Sequence, residues 1–203
     1  MIVRDTQQAR EDAARVISNG GVIAFRTDTL YALGADPLNP QAVARIRKLK
    51  SREDNKPILL LVSDENQVDR FSPVQPPAFA AVTKRFWPGP LTVVVKARDE
   101  LPEVLTGGTG TIGVRLPNNV QLRNLVRMCG GALTAPSANP ASKLPSLTAA
   151  EVEDYFPEGI DLIIDGGEVI VCEPSTVLDV SGIGFQIIRE GALPREQLEK
   201  ALL

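Results

Sequence analysis

Short apolar runs, each three to six residues long and cut off by glycine, proline or polar residues, constrain this chain more than any other feature. Gly21–Phe25, Ile58–Val62, Leu91–Lys96, Thr111–Leu116, Ala132–Ala135 and Leu162–Ile164 fit buried strands and are too short for buried helices. Thr176–Val180 and Phe185–Ile188 flank Ser181-Gly182-Ile183-Gly184 and read as a hairpin. Helical spacing separates some of these runs. Ala9, Ala13, Val16 and Ile17 share one face of a helix over Thr6–Asn19, stopped by Gly20-Gly21. Asn39-Pro40 supplies a cap and a first-turn proline for a helix ending near Lys50. Further helices fit Phe79–Phe86, broken by Trp87-Pro-Gly-Pro90, and Val120–Cys129. Thr148 and Glu151 have the spacing of a capping box, and a last short helix starts at Pro194. Several strands follow one another with no helix between them. The expected fold is therefore α/β, one domain over residues 1–203, with a twisted mixed parallel and antiparallel sheet flanked by helices.

Composition narrows the chemistry. The chain has no histidine, which excludes Ser-His-Asp and Cys-His systems and histidine metal sites. No metal site built from the chain's own residues is expected. Two cysteines, Cys129 and Cys172, are too few for a disulfide framework and read as reduced, buried residues. No run approaches the ~18 apolar residues of a membrane span, and Met-Ile-Val-Arg-Asp has no signal-peptide layout. A soluble cytoplasmic protein is expected. Charge is uneven: residues 1–143 carry 19 basic and 13 acidic side chains, whereas residues 144–188 carry no basic and nine acidic ones. That suits an anionic ligand on one surface, and charge drift along the chain explains it equally well.

Five segments offer polar chemistry. Gly108-x-Gly110-x-x-Gly113 spells a dinucleotide fingerprint but runs into a strand ended by Pro117, where a cofactor site needs a helix. Arg45, Arg47 and Lys48 read as a solvated face that complements the helix dipole. Lys50 and Arg52 alternate in a segment read as extended, so they could present two cations to one anion, with Lys56 close behind. Ser137 and Asn139 follow a buried strand, where α/β sheets bind ligands; a simple turn accounts for them too. Thr27-Asp28-Thr29 stands at another strand end, as a small-molecule site or a threonine-rich edge. Ser175, and Arg189 after a long stretch without basic residues, complete the set.

Taken in order, the motifs Thr-Asp-Thr-x-Tyr, Lys-x-Arg with Lys-Pro-Ile, Trp-Pro-Gly-Pro-Leu-Thr, Gly-Val-Arg-Leu-Pro, Ser-x-Asn, Pro-Ser-Thr-Val and Ile-Arg-Glu-Gly span Gly21 to Gly191. This series resembles the YrdC-like threonylcarbamoyl-AMP synthases in their short, single-domain form. The resemblance implies a concave basic ligand groove. It also implies condensation of L-threonine, bicarbonate or CO2, and ATP with Mg²⁺ into threonylcarbamoyl-AMP and pyrophosphate. Downstream threonylcarbamoyl-transferase proteins would then modify an adenosine of tRNA. By motif match, Lys50, Arg52, Ser137 and Asn139 would be catalytic. Arg52, Lys56, Thr111, Ser137, Asn139 and Arg189 would hold the nucleotide. Thr29, Arg115 and Ser175 would hold threonine.

The sequence departs from the family pattern at Ala32, where glycine is usual, and at Ala135, where threonine is common. Leu61 stands where some longer relatives have histidine, and Pro140–Pro145 lacks the usual Ser-Gly. Three other readings compete. A basic face could bind tRNA or double-stranded RNA without catalysis, although few aromatics are present for base stacking. The fold also serves the larger hydrogenase-maturation carbamoyl transferases. An inactive paralogue is the third.

Overall fold

The computed structural model describes residues 1–51, 56–170 and 173–202. Two sheets form. The first has the order β1 (Ile2–Arg4), β8 (Leu162–Asp165), β2 (Ile23–Arg26), β3 (Tyr31–Gly34). The second has the order β10 (Gln186–Arg189), β9 (Thr176–Asp179), β5 (Leu91–Lys96), β6 (Thr111–Arg115), β4 (Leu60–Val62), β7 (Ala132–Thr134). Both sheets are mixed. In the second, antiparallel and parallel pairings alternate from edge to edge. The hairpin expected near the C-terminus is the antiparallel β9–β10 pair.

One continuous sheet was expected, and the seam explains the difference. β3 and β7 run beside each other but do not share a full ladder. The Thr134 hydroxyl sits between them, accepting from the Ala35 amide (2.8 Å) and donating to the Leu33 carbonyl (3.1 Å). Pro136 has no N–H to give, and only its carbonyl is used, accepting from the Leu33 amide at 2.9 Å. A lone bridge, Ala32 with Ser137, continues the contact.

The helices start where their caps dictate. Thr6 Oγ1 accepts from the Ala9 amide and opens α1 (Gln7–Ser18), which buries Ala9, Ala13 and Ile17. Asn39 accepts from two amides at the start of α2 (Pro40–Leu49), which buries Ala42, Val43 and Ile46. α3 (Pro77–Phe86) ends at Trp87, and α4 (Glu103–Thr106) is a single turn. Asn119 caps α5 (Val120–Met128), and Thr148 with Glu151 forms the full capping box of α6 (Ala149–Tyr155). α7 (Arg195–Leu202) packs against α3. β1, β3, α4 and a 3₁₀ turn over Glu65–Arg70 are additions to the elements read from sequence. β1 and β3 are short edge strands, and a three- or four-residue edge has too little periodicity to stand out.

One face of the second sheet is core: Leu60, Val62, Val93, Val95, Ile112, Val114, Leu178 and Val180 pack with Phe79, Val82 and Leu198 of α3 and α7. Each such large side chain contributes about 1.5–3 kcal/mol by leaving water. A second cluster joins α1 and α5 to the first sheet, and a third lies under α2 and α6. Cys129 belongs to the second cluster as a buried free thiol, and burial pushes its pKa up to about 12. Cys172 lies outside the described residues. No helix among the described residues is long and apolar enough to cross a membrane.

Candidate active site

On the other face of the second sheet, Leu61 of β4 and Leu133 of β7 pack into the second cluster, and the rest of that face is open. It floors a cavity of about 730 Å³, within the usual range for small-molecule sites. The floor follows strand alternation: Leu59 and Leu61; Thr92 and Val94 on β5; Thr111, Gly113 and Arg115 on β6; Ser175, Val177 and Asp179 on or beside β9. Each of these residues is one peptide away from a core residue on the opposite face.

Eight of the residues singled out from sequence line this cavity: Thr29, Lys50, Lys56, Thr111, Arg115, Ser137, Ser175 and Arg189. They come from six separate segments, brought to one place by the sheet order. Asn139 is not among the lining residues and is buried. Its Nδ2 donates to the carbonyls of Pro140 (3.0 Å) and Lys143 (2.7 Å), and its Oδ1 is buried without a partner. Arg52 lies outside the described residues.

Lys50 behaves differently from the expectation that it faces an anion as half of an extended cation pair. It is the C-cap of α2 in helical conformation, and Ser51 has φ 48°, so the segment is not extended there. The alternation argument that paired Lys50 with Arg52 therefore fails. Lys50 Nζ donates to the carbonyls of Ser137 and, at 2.7 Å, Asn139, and reaches the Ser137 hydroxyl at 3.3 Å. The buried ammonium thus fixes the Ser137–Asn139 loop. The same loop is tied to β3, with the Ala138 amide donating to the Tyr31 carbonyl at 2.8 Å.

Arg45 and Arg47 are also not a solvated face. Arg45 donates to the carbonyls of Gly20 and Gly159 and to Asp161 Oδ2 at 2.9 Å. Arg47 donates to the carbonyls of Val104 and Lys56. These half-buried guanidiniums staple α2 to its surroundings, a use of multiple donors that helical spacing alone does not reveal.

The opposite wall is built around Arg115, only 3% exposed. Its Nη2 donates to Asp28 Oδ2 at 2.5 Å and its Nε to the Gly89 carbonyl at 3.0 Å. Asp28 sits in the β2–β3 turn. There Thr27 Oγ1 accepts from the amides of Thr29 and Leu30, and so sets the turn that also carries Thr29. Gly89 must be glycine, since a Cβ there would lie 2.2 Å from the Phe86 carbonyl oxygen. That explains Trp-Pro-Gly-Pro: it ends α3 and presents a carbonyl to Arg115.

Burial lowers the pKa of Arg115, opposed by Asp28 and reinforced by repulsion from Arg189. Burial also lowers that of Arg189, whose Nη2 donates to the Ser175 carbonyl at 2.8 Å. Ser175 Oγ in turn shares a 2.9 Å hydrogen bond with Thr92 Oγ1. An anion between these two arginines beside the cavity would relieve the repulsion that Arg115 feels.

Sequence reading did not single out Thr92 and Asp179, which line the cavity, and it took Asp28 only as part of a threonine-rich turn, not as the partner of Arg115. The signal was present in the strands: Thr92 and Asp179 are polar residues on alternate positions of otherwise apolar runs. The glycine-rich segment 108–113 leads into β6 and not into a helix, as expected.

A family model described as "Telomere recombination", that of Sua5, YciO and YrdC, matches residues 15–191.

The chain belongs to the Sua5/YciO/YrdC family.

Within that family it is 36% identical over 190 residues to the threonylcarbamoyl-AMP synthase of Pyrococcus abyssi, covering 94% of this chain and 56% of the relative. It is 33% identical over 193 residues to the threonylcarbamoyl-AMP synthase of Idiomarina loihiensis, covering 93% of this chain and 99% of that one. The chain thus spans little more than half of the first relative and nearly all of the second. The solved structure of Pyrococcus abyssi Sua5 complexed with L-threonine superposes with a TM-score of 0.91 at 35% identity, over 100% of this chain and 59% of that one. The mixed α/β architecture stands as the order of strand and helix runs implied, and family membership as the motif series implied.

Proposed function

We propose that this chain is an L-threonylcarbamoyladenylate synthase acting on L-threonine, bicarbonate or CO2, and ATP. The observation that carries the reading is the wall of the cavity. Arg115, buried, and Arg189, exposed at the end of β10 but near enough for its charge to act on Arg115, stand beside the hydroxyls of Ser175, Thr92 and Thr29. An amino acid with a carboxylate and a hydroxyl suits that wall. The similar protein solved with L-threonine, and relatives named for this synthesis, support the same choice.

Arg115 takes the threonine carboxylate, with Thr29 and Ser175 near the rest of the amino acid. Lys56, Arg52, Thr111 and Arg189 face the nucleotide, and Ser137 and Asn139 hold its phosphates or the bound intermediate. Lys50 keeps its place in the catalytic set as the residue that positions Ser137 and Asn139. The threonine amine attacks the carbon of CO2 and forms an N–C bond. Its proton leaves to a substrate phosphate oxygen or to water. The resulting carbamate oxygen attacks the α-phosphorus of ATP, and the bond to the β-phosphate breaks to release pyrophosphate. Such a transfer needs positioning and cations, not a protein nucleophile.

Mg²⁺ fits as a passenger of the triphosphate. Among the described residues no three acidic, cysteine or histidine side chains gather as a metal cage. Asp179 is a carboxylate in the cavity wall available to an ion carried by phosphate oxygens and water. Delivery of the product to downstream transferase proteins and tRNA, in the cytoplasm, completes the proposal.

The test is direct. The pure protein is incubated with ATP, Mg²⁺, bicarbonate and threonine, and pyrophosphate and the adenylate are measured. Threonine-dependent release of both is expected. Pyrophosphate no higher than in a control without threonine overturns the proposal.

A further inference from the structure

A second, smaller cavity of about 60 Å³ lies against the first sheet, between α1 and the start of α5. It shares no lining residue with the large cavity. Phe25, Leu122, Leu125 and Ile164 form its apolar part, and Arg10 and Arg26 its cationic part.

Arg26 is the unusual member. It is half-buried at the end of β2, yet among the described residues its side chain makes no hydrogen bond or ion pair, and its Nε is buried without a partner. A guanidinium has five donors and no way to shed its charge, so leaving the Nε–H unpaired away from water is costly. Buried polar groups are nearly always satisfied by protein, water or an ion. Arg10 is better placed, with Nε donating to Asp5 Oδ1 at 2.7 Å and Nη2 reaching Gln121 Oε1 at 3.4 Å. Asp5 offsets one of the two arginines, which leaves one net positive charge among the lining residues; Asp165, between the lining Ile164 and Gly166, turns its Oδ1 to the Tyr31 hydroxyl and the Gly167 amide. Arg26 is also held close, because a Cβ on Gly166 would come within 2.9 Å of its Cβ and 3.0 Å of its Cδ.

We propose that this cavity is a second anion site, in which Arg26 and Arg10 bind a small inorganic oxyanion of phosphate size or less. The volume is several times the minimum for one water and far below that for a nucleotide. Guanidinium donors match the planar and tetrahedral oxygens of such ions. The site does not depend on the reaction proposed for the large cavity. Its occupancy bears on that cavity through the chain, because Arg26 directly precedes Thr27, whose amide and hydroxyl hold the turn carrying Asp28 and Thr29. An anion on Arg26 would anchor the strand end from which that turn springs.

Two measurements test this, and neither reads catalysis. Crystals of the unaltered protein are soaked in selenate, and the anomalous signal is mapped. A peak within hydrogen-bond distance of Arg26 is expected, and its absence there overturns the proposal. Thermal unfolding is then followed against inorganic phosphate at constant ionic strength, for the unaltered protein and for Arg26→Met. At tenfold excess over the dissociation constant, the unaltered protein is expected to melt about 3–6 °C higher. Phosphate bound in the large cavity would persist in Arg26→Met, so a smaller shift in the variant supports the small site. An equal shift in both proteins, or the same shift with chloride in place of phosphate, overturns it.

Discussion

The two walls of the large cavity use buried cations in opposite ways. On one side, Lys50 gives its donors to the backbone carbonyls of Ser137 and Asn139, and the charge becomes a strut. On the other, Arg115 is braced by Asp28 and the Gly89 carbonyl through only two of its donor nitrogens, so the guanidinium is held still with donors to spare. The ammonium has three donors and can be used up by a loop; the guanidinium has five and can be fixed and still bind. Loss of the lysine should therefore be felt as structure, and loss of the arginine's brace as affinity.

Lys50→Met is expected to have the largest effect. It strands two carbonyls in a buried loop and should lower stability by about 2–4 kcal/mol, with activity lost as well. Denaturant unfolding followed beside the pyrophosphate assay checks this. Unchanged stability would break the contrast between the walls.

Asp28→Asn should come next, costing about 1–3 kcal/mol by leaving Arg115 without its counter-charge. Its signature is kinetic: KM for threonine rises on the order of 10–100-fold while KM for ATP moves little, because tenfold corresponds to about 1.4 kcal/mol. Equal increases for both substrates would show that Arg115 does not serve the amino acid alone. Gly191→Ala tests the same wall from behind. Its Cβ would fall 2.0 Å from the Pro174 carbonyl oxygen, displacing the segment that carries Ser175. A loss of about 1–3 kcal/mol is expected from such overpacking, read by thermal melting. Ser175→Ala removes the 2.9 Å bond to Thr92 and a long 3.5 Å contact from Arg189 Nη2, and should cost about 1 kcal/mol, with a threonine-side defect in steady-state kinetics.

The smallest effect near neutral pH lies outside both walls. Cys129 is raised from 9.0 to about 12, and Tyr31, by burial first and by Asp165 second, from 10.0 to about 12. Both favour the neutral form in the folded state. Above pH 9 the unfolded chain loses these protons first, so stability is full below that pH and declines toward pH 12. Cys129→Val should remove the part of the decline that begins near pH 9, in pH-dependent melts.

Much of this was legible in the sequence because the signals are local. The caps at Asn39 and Thr148 depend on residues two or three positions apart, and both hold. The strand runs followed by hydroxyls or cations marked most of the cavity. What was not legible depends on contacts distant in sequence. The split into two sheets turns on the Thr134 hydroxyl meeting β3, about a hundred residues earlier. The roles of Arg45 and Arg47 turn on carbonyls of other loops. Asp28 looked like one polar residue among threonines until β6 placed Arg115 against it.

The alternation that floors the cavity has a further consequence. On β5, β6 and β9, Val93, Val114 and Leu178 of the core alternate with Thr92, Arg115 and Val177 of the cavity. A single inserted or deleted residue in any of these strands would turn the ligand face inward and the oily face outward together. The strand lengths are therefore frozen, and new substrate preferences can arise only by exchange of one side chain for another or by remodelling the connecting loops.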